Sequence, residues 1–254
     1  MWRVFSASAT GQRNVDQGAA GQDASHCLVT GDVLSAVVCD GAGSAQEGRT
    51  GANFMARALA EQLSSSLDAD RRLLDLEAEG NARLEAVLRD TIEAVRGRLA
   101  DLAASAERAL PDYSCTLVGC VASTRGGCLF HIGDGFAIVQ GAAGETVLSP
   151  PENGEYADET YFVTDENWKD HLRLTPLAAP GSGCVIGLMS DGTAPFAIDR
   201  ARTGFFRPFI DPVAAYLRNA SAPTGNEALR NLLESPRASE ISSDDKTLLL
   251  AFAL

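Results

Sequence analysis

LSAVVCDG (Leu34 to Gly41) is a run of strand-forming residues that ends on aspartate followed by glycine. The same ending closes two later runs, CLFHIGDG (Cys128 to Gly135) and CVIGLMSDG (Cys184 to Gly192), and a fourth run at the C-terminus is entered through Asp244 and Asp245. Carboxylates at the ends of buried strands repel one another unless a cation neutralises them, and oxygen ligands suit Mg²⁺ or Mn²⁺. The pattern therefore indicates a metal site.

Asp-Gly has a second, purely structural interpretation. It is a common hairpin turn, because both residues tolerate positive φ. Spacing alone leaves turns and metal ligands equally open, and the residues around each pair have to decide between them.

Length and composition indicate one domain. The 254 residues are enough for a packed core, and no linker, charge block or internal repeat divides them. The first and last segments both resemble core strands. The sequence thus predicts a single domain over residues 1–254, with its two ends in one sheet.

Charge and cysteine usage exclude several classes of protein. The net charge of −13 argues against nucleic acid as a partner, since affinity for phosphate backbones needs clustered Lys and Arg. The six cysteines form no CxxC pair, so buried free thiols are expected. With no leader and no apolar run long enough for a bilayer, we expect a cytoplasmic protein without a membrane partner.

Apolar periodicity predicts strands, then two long helices, then strands again. The predicted elements are a strand at 2–9, paired strands at 27–30 and 33–39, helices at 47–67 and 79–107, an antiparallel meander from 113 to 140, and shorter helices at 212–218 and 226–234. Phe54, Ala58 and Leu63 or Leu67 are expected on the apolar face of the first long helix. Helices that bracket antiparallel strands predict an α+β fold, a four-layer α-β-β-α sandwich of two mainly antiparallel sheets flanked by helices.

The segment at about 149–180 is polar and bounded by prolines. It contains one short strand-like stretch, ETYFVT, and a second candidate around residues 171–174. We predict a loosely packed flap there.

Six short motifs follow one another along the chain: GQRN with GQDA between Gly11 and Ala24, DGAGSAQEGRTGA (Asp40 to Ala52), SCTLVGCV, HIGDG, LMSDG and DDKTLLLA. In this order they resemble the motifs of the metal-dependent protein phosphatases of the type 2C class, and most closely those of the bacterial branch. The resemblance covers nearly the whole chain, and six motifs in sequence are far more specific than any one of them.

The resemblance implies two Mn²⁺ or Mg²⁺ ions as cofactors. Asp40 would bridge them, with the Gly41 carbonyl as a further ligand. Asp191 and Asp244 would complete the ligands of the first ion, and Asp23 would support the second, directly or through water. Asp40 and Asp191 would thereby be catalytic.

Two further positions carry an implied role and an alternative. Arg13 would be a catalytic residue that grips the substrate phosphate with its planar guanidinium, and its alternative is a solvated loop charge. Asp134 would join Asp191 around a third, weaker ion, or else be structural. Pro195 stands where the family often has another acid, so this ion should bind less tightly. Asp245 would be the neighbour of a ligand.

The implied reaction is direct hydrolysis of a phosphoserine or phosphothreonine ester. Two ions about 4 Å apart lower the pKa of a bridging water, which attacks phosphorus in line with the leaving oxygen. A histidine or a metal-bound water would protonate the leaving group, and His26, His131 and His171 are the weakly supported candidates. The family's common arginine two residues beyond the Gly-Asp motif is missing, because Phe136 stands there.

Other hydrolase chemistries do not fit the sequence. A cysteine phosphatase needs Cys and Arg separated by five residues, and no cysteine has that spacing. The nucleophile elbow G-x-S-x-G fails because Leu188 precedes Ser190 where glycine is required. GAGS at residues 41–44 is too short for a phosphate-binding P-loop and lacks its lysine.

A function of another class keeps the fold without catalysis. Such a module would bind a phosphorylated partner or a regulator. The retained aspartates argue against it, because unpaired buried carboxylates are costly once the cation is lost. The partner implied by the resemblance is a phosphorylated protein substrate, and a cognate Ser/Thr kinase follows from the same class.

Overall fold

A computed structural model of the chain describes residues 1–75, 78–152 and 160–254. In this part of the chain ten strands run in sequence order: β1 Trp2–Ala9, β2 Ala24–Thr30, β3 Val33–Cys39, β4 Leu117–Ser123, β5 Gly126–Ile132, β6 Phe136–Gln140, β7 Thr146–Ser149, β8 Arg173–Leu177, β9 Val185–Met189 and β10 Lys246–Ala253.

The same residues form eight α-helices. They are α1 Gln12–Asp16, α2 Gly48–Ala69, α3 Ala78–Ser105, α4 Trp168–His171, α5 Ala194–Ala197, α6 Arg207–Leu217, α7 Ala222–Leu233 and α8 Pro236–Ile241. Among them, none combines the length and the apolar character that crossing a bilayer requires.

The strands form two five-stranded antiparallel sheets. Sheet I has the order β1-β10-β9-β6-β7, and sheet II has the order β2-β3-β4-β5-β8. Trp2 pairs with Ala253 and Ala9 with Lys246, so both ends of the chain lie in sheet I as predicted. Apolar side chains from both sheets pack against each other between them, among them Leu34, Val118 and Leu249.

Helices cover the outer face of each sheet. The long helices α2 and α3 pack on sheet II, and the shorter helices α5 to α8 pack on sheet I. The predicted four-layer α-β-β-α sandwich is therefore confirmed. In the described part of the chain the six cysteines are unpaired, and all but Cys27 are buried, as expected from their apolar surroundings.

Ala58, Leu63 and Leu67 of α2 are buried as predicted, but Phe54 is only partly buried. Met55, Leu59, Leu63 and Leu67 recur every four residues and are completely buried, which gives one continuous apolar stripe against sheet II. Phe54 packs only at the edge of this contact. Periodicity thus located the helix but not the centre of its apolar face.

The predicted antiparallel meander is wrong after its second strand. β4 and β5 pair as expected. β6 crosses to sheet I, where it pairs with β9 and β7. The turn at Gly133, which has a φ of 103°, redirects the chain between the two sheets. The N-terminal loop also contains the short helix α1, which was not predicted.

The loose packing predicted for the flap is wrong for residues 160–177. Val163, Trp168 and Leu172 are buried, and β8 extends sheet II by pairing with β5. The Arg96 guanidinium donates to the carbonyls of residues 163–165 at 3.0–3.1 Å. Residues 161–164 of the predicted strand ETYFVT are not a strand. Residues 153–159 lie outside the described part of the chain.

Gly51 offers a test of how closely α2 approaches the segment before β4. A Cβ at this position would lie 2.0 Å from the Tyr113 carbonyl oxygen. We predict that Gly51→Ala lowers the free energy of unfolding by about 1–3 kcal/mol or more, because the backbones must separate. Gly97→Ala in α3 is the matched control, since nothing lies within 4 Å of its Cβ.

Chemical denaturation monitored by circular dichroism measures both changes. The control variant should gain about 0.5–1 kcal/mol, because alanine is a better helix former than glycine. Equal effects of the two substitutions would contradict the close approach of α2 to Tyr113.

Candidate metal centre

Asp23 and Asp40 lie side by side at one end of sheet II. Asp23 immediately precedes β2 and Asp40 immediately follows β3, and the residues next to them, Ala24 and Cys39, are paired in the antiparallel register. Two aspartates that are 17 positions apart in the sequence are thereby brought together by one strand pair.

Asp134, Asp191 and Asp244 gather in the same way at one end of sheet I. Met189, two residues before Asp191, pairs with Leu248 of β10 and with Phe136 of β6. Asp244 precedes β10 by two residues, and Asp134 precedes β6 by two. All five aspartates predicted as ligands therefore lie at strand ends.

Ser190 joins the two groups of aspartates. Its hydroxyl donates to Asp23 Oδ2 at 2.6 Å and accepts from the Thr247 amide at 2.9 Å. The Ser190 amide in turn donates to the Thr247 carbonyl at 3.2 Å. The ends of β9 and β10 are thereby tied to Asp23 in sheet II. The sequence did not indicate this role of Ser190, although the residue lies in the motif LMSDG.

The proton affinities of these carboxyl groups show that they interact. Burial, together with the charges of Asp23, Asp191 and Asp134, raises the pKa of Asp40 well above its usual range. Burial also raises the pKa of Asp23 to about 7, against hydrogen bonds from Ser190 and Thr247 that act in the opposite direction. Burial and then the charges of Asp134 and Asp244 raise the pKa of Asp191 to about 6.

The residues present fit a divalent cation. Asp23 Oδ1 and Asp191 Oδ1 are buried and accept no hydrogen bond within the described part of the chain. A buried carboxylate oxygen without a donor is costly, and a hard cation satisfies it. In the part of the chain that the structure describes, no three His, Cys, Asp or Glu side chains are arranged closely enough to hold a metal ion. The backbone therefore gathers the carboxylates, and a cation would have to draw the oxygens together.

The loop after Asp40 is held by the segment before β4. The Asp40 amide donates to Thr116 Oγ1 at 3.0 Å, and the Thr116 amide donates to the Asp40 carbonyl at 2.8 Å. Gly41 approaches the start of α2 so closely that a Cβ would lie 2.5 Å from the Gly48 carbonyl carbon. This close contact explains the glycine after Asp40 in the motif.

The Asp245 carboxylate accepts hydrogen bonds from the N-terminal loop. The donors are the Gly11 amide and the Gln22 amide at 2.6 Å and Asn14 Nδ2 at 2.9 Å. It thus fastens both ends of the N-terminal loop beside the cluster. The sequence did not reveal this structural role.

Arg13 lies next to one of the aspartates. Its amide in α1 donates to the Ser243 carbonyl at 3.1 Å, and its Nη1 lies 3.6 Å from Asp244 Oδ2. The Arg13 side chain is 64% exposed. The backbone of Arg13 is thus held in place, while its side chain is largely exposed to solvent.

Lys246 supports Asp244 from the protein interior. The side chain is buried, and Nζ donates to the Asp244 carbonyl at 2.9 Å and to the Ser242 carbonyl at 3.3 Å. Burial lowers the pKa of Lys246, while the charges of Asp245, Asp244 and Asp23 act in the opposite direction. The sequence did not indicate this role of Lys246, although the lysine stands in the motif DDKT.

Among the described residues, none of the three histidines proposed as acids forms a hydrogen bond or an ion pair with an aspartate of the cluster. His131 is completely buried, and its Nδ1 contacts Ser149 Oγ at 2.9 Å. Burial holds the pKa of His131 well below its usual range. His171 stacks on Tyr161 and contacts Glu152, and His26 lies in the middle of β2.

A pocket of about 440 Å³ opens beside the cluster and includes Asp134 and Asp191 in its wall. Asp134 Oδ2 accepts from Thr160 Oγ1 at 2.6 Å. Arg200 and Arg202 line the same pocket. A larger apolar pocket of about 600 Å³ lies among α5 to α8 and contains none of these aspartates.

The raised pKa values predict how the stability of the metal-free protein depends on pH. Unfolded aspartates ionise near 3.8, while folded Asp191 and Asp23 ionise only near pH 6 and 7. The unfolded state therefore loses protons first, and the free energy of unfolding should fall as the pH rises from about 4 to about 7. Urea titrations in EDTA measure this slope.

Asp23→Asn is the informative variant, because it removes the group whose pKa is raised to about 7. The fall in stability between pH 4 and 7 should become smaller in this variant. Equal slopes for both proteins would contradict the buried, ionisable cluster.

Solved structures of bacterial proteins share this fold. The fold matches a serine/threonine phosphatase of S. agalactiae with a TM-score of 0.66 at 14% identity, covering 100% of both chains. It matches the serine/threonine phosphatase Stp1 from Staphylococcus aureus with a TM-score of 0.66 at 16% identity, covering 100% of this chain and 96% of that one. RsbX in complex with magnesium matches with a TM-score of 0.59 at 12% identity, covering 99% and 94%.

Sequence similarity is stronger for one curated relative. Serine/threonine-protein phosphatase 3 of Escherichia coli (strain K12) is 30% identical over 260 residues, which cover 98% of each chain. The family model for protein phosphatase 2C matches residues 10–234, which is most of the chain. The matched range includes four of the five aspartates predicted as ligands, all but Asp244. The chain belongs to the protein phosphatase 2C family.

Proposed function

We propose that this protein hydrolyses phosphoserine and phosphothreonine esters in other proteins, at divalent cations held by the aspartate cluster. The observation that carries the proposal is the gathering of carboxylates from both sheets at one end of the sandwich. Two buried oxygens in that cluster, on Asp23 and Asp191, lack a hydrogen-bond donor within the described residues. A structural cluster of turns would instead satisfy its buried oxygens.

The proposed ligand roles follow which carboxylates interact. Asp40 interacts with both Asp23 and Asp191, which supports its role as the bridge between two ions. Asp191 also interacts with Asp244, which supports their joint role at the first ion. Asp23 is proposed to support the second ion, and the Gly41 carbonyl to add a ligand beside Asp40.

Asp134 is proposed to contribute with Asp191 to a third, weaker ion. The interaction between these two carboxyl groups supports this role. Pro195 supplies no carboxylate, although it lines the same pocket. We propose Mn²⁺ or Mg²⁺ as the ions, since both accept ligand sets made of oxygen.

When bound, the cations supply an acidified water and neutralise charge on the phosphoryl group. The residues of the chain hold and orient the substrate. Arg13 is proposed to grip the phosphate, because its guanidinium is exposed beside Asp244 while its backbone is fixed to Ser243. Asp245 and Lys246 keep the surrounding loops in place.

No histidine contact supports proton donation to the leaving alkoxide. His131 is buried and His171 is engaged with Tyr161 and Glu152. We therefore propose that water at the cluster supplies this proton. The phosphorylated protein substrate implies a Ser/Thr kinase as its source. We propose a cytoplasmic location for this protein.

Hydrolysis of p-nitrophenyl phosphate and of a phosphothreonine peptide tests the function. We predict turnover with Mn²⁺ or Mg²⁺ and none in EDTA. Asp40→Asn and Asp191→Asn should each lower kcat by about 100-fold or more, because each removes charge from the metal ligands. Arg13→Ala should chiefly raise KM for the peptide.

Asp211→Asn is the matched control, because Asp211 pairs with Arg207 on the exposed surface of α6. Its activity should equal that of the wild type. Binding of the phosphopeptide without metal-dependent turnover would contradict the proposal and favour a phosphopeptide-binding module.

A further inference from the structure

The pocket beside the aspartate cluster is lined in part by a short hairpin, residues 198–205. Ile198 and Phe205 form an antiparallel bridge at its base. The hairpin follows α5, which begins three residues after Asp191. Its tip carries Arg200 and Arg202, and both line the pocket that Asp134 and Asp191 line. We call this segment the arginine hairpin.

Hydrogen bonds within the arginine hairpin hold its shape. The Asp199 amide donates to the Gly204 carbonyl, and the Arg202 amide donates to the Asp199 carbonyl, both at 3.0 Å. The Asp199 carboxylate accepts from the amide and the hydroxyl of Thr203 at 3.0 Å. These bonds, led by the Thr203 amide, lower the pKa of Asp199. The one carboxylate of the hairpin is thus already engaged with Thr203.

Arg202 is anchored on the strand that begins beside Asp134. Its guanidinium carbon lies 5.8 Å from the centre of the Phe136 ring, within the range of a cation–π contact. A guanidinium from another part of the chain thus lies beside the ring of residue 136. Arg202 itself has a φ of 55°, a conformation that only a fixed local structure retains in a residue with a side chain.

No carboxylate among the described residues neutralises the charge of Arg200 or Arg202. Both residues are exposed, and neither forms an ion pair with any residue that the structure describes. In particular, neither guanidinium lies within 4.0 Å of Asp134 or Asp191. Arg200 and Arg202 thus place two exposed positive charges in a pocket that Asp134 and Asp191 also line.

We infer that Arg200 and Arg202 bind a second anionic group of the substrate, a carboxylate or a phosphate close to the ester that is hydrolysed. A guanidinium matches both groups with its parallel N–H donors. The pocket of about 440 Å³ has room for more than one phosphoryl group. The arginine hairpin would thereby favour phosphorylated residues that have acidic or phosphorylated neighbours. This inference rests on the proposed function.

Four phosphothreonine peptides of otherwise identical sequence provide the test. The positions flanking the phosphothreonine carry Gln, Glu, phosphoserine or Lys. The proteins are the wild type, the double variant Arg200→Gln with Arg202→Gln, and the control Arg57→Gln. Arg57 pairs with Glu61 on the exposed face of α2 and lines no part of the pocket.

We expect wild type to show kcat/KM values about 10-fold higher for the Glu or phosphoserine peptide than for the Gln peptide at low salt, chiefly through KM. The double variant should lose this preference, and high salt should weaken it in the wild type. Hydrolysis of p-nitrophenyl phosphate, and its dependence on Mn²⁺ concentration, should stay unchanged in the double variant. A higher kcat/KM for the phosphoserine peptide than for the Glu peptide would identify the second group as a phosphate. Equal kcat/KM values for these two peptides would mean that the arginines accept either anion.

Three results would overturn the inference. One is a wild type that does not distinguish the four peptides. Another is a double variant that keeps the preference, or a control that loses it. The third is an altered Mn²⁺ dependence in the double variant, which would mean that the arginines balance the charge of the aspartates. Absence of any metal-dependent turnover by the wild type would instead overturn the proposed function.

Discussion

Repulsion among buried carboxylates is the constraint on which the site depends. Burial raises the pKa of all three carboxyl groups of Asp23, Asp40 and Asp191. The charges of Asp23 and Asp191 raise the pKa of Asp40 further, as those of Asp134 and Asp244 do for Asp191. Without a cation the cluster can persist only partly protonated. At this end of the two sheets the carboxylates repel one another. Other contacts between the sheets therefore have to hold this end together until a cation binds.

Those contacts come from residues that are not ligands. Ser190 ties Asp23 to the start of β10, Asp245 fastens the N-terminal loop, and Lys246 holds the carbonyl of Asp244. Each is a hydrogen bond to a charged partner, which is stronger than a bond between neutral groups. Positioning the aspartates through their backbones leaves carboxylate oxygens free to move toward an ion.

The sequence predicted the parts of the structure that repeat a local pattern. Strands that end on Asp-Gly located the aspartates, and alternating and helical periodicities located the sheets and the long helices. The transfer of β6 to sheet I was not predicted, because its turn resembles that of any hairpin. The packing of residues 160–177 depends on Arg96, which lies far away in sequence. Ser190 and the arginine hairpin carried no local signal, since their roles depend on which strand ends become neighbours in space.

The central claim, that the aspartates form a cation site, is tested most directly by calorimetric titration of the metal-free protein with Mn²⁺ at pH 7. The account predicts saturable binding of at least two ions per chain with release of protons, because Asp23 is partly protonated near its pKa of about 7. Asp40→Asn should abolish this saturable binding. Absence of saturable binding, or identical titrations of the two proteins, would contradict the account.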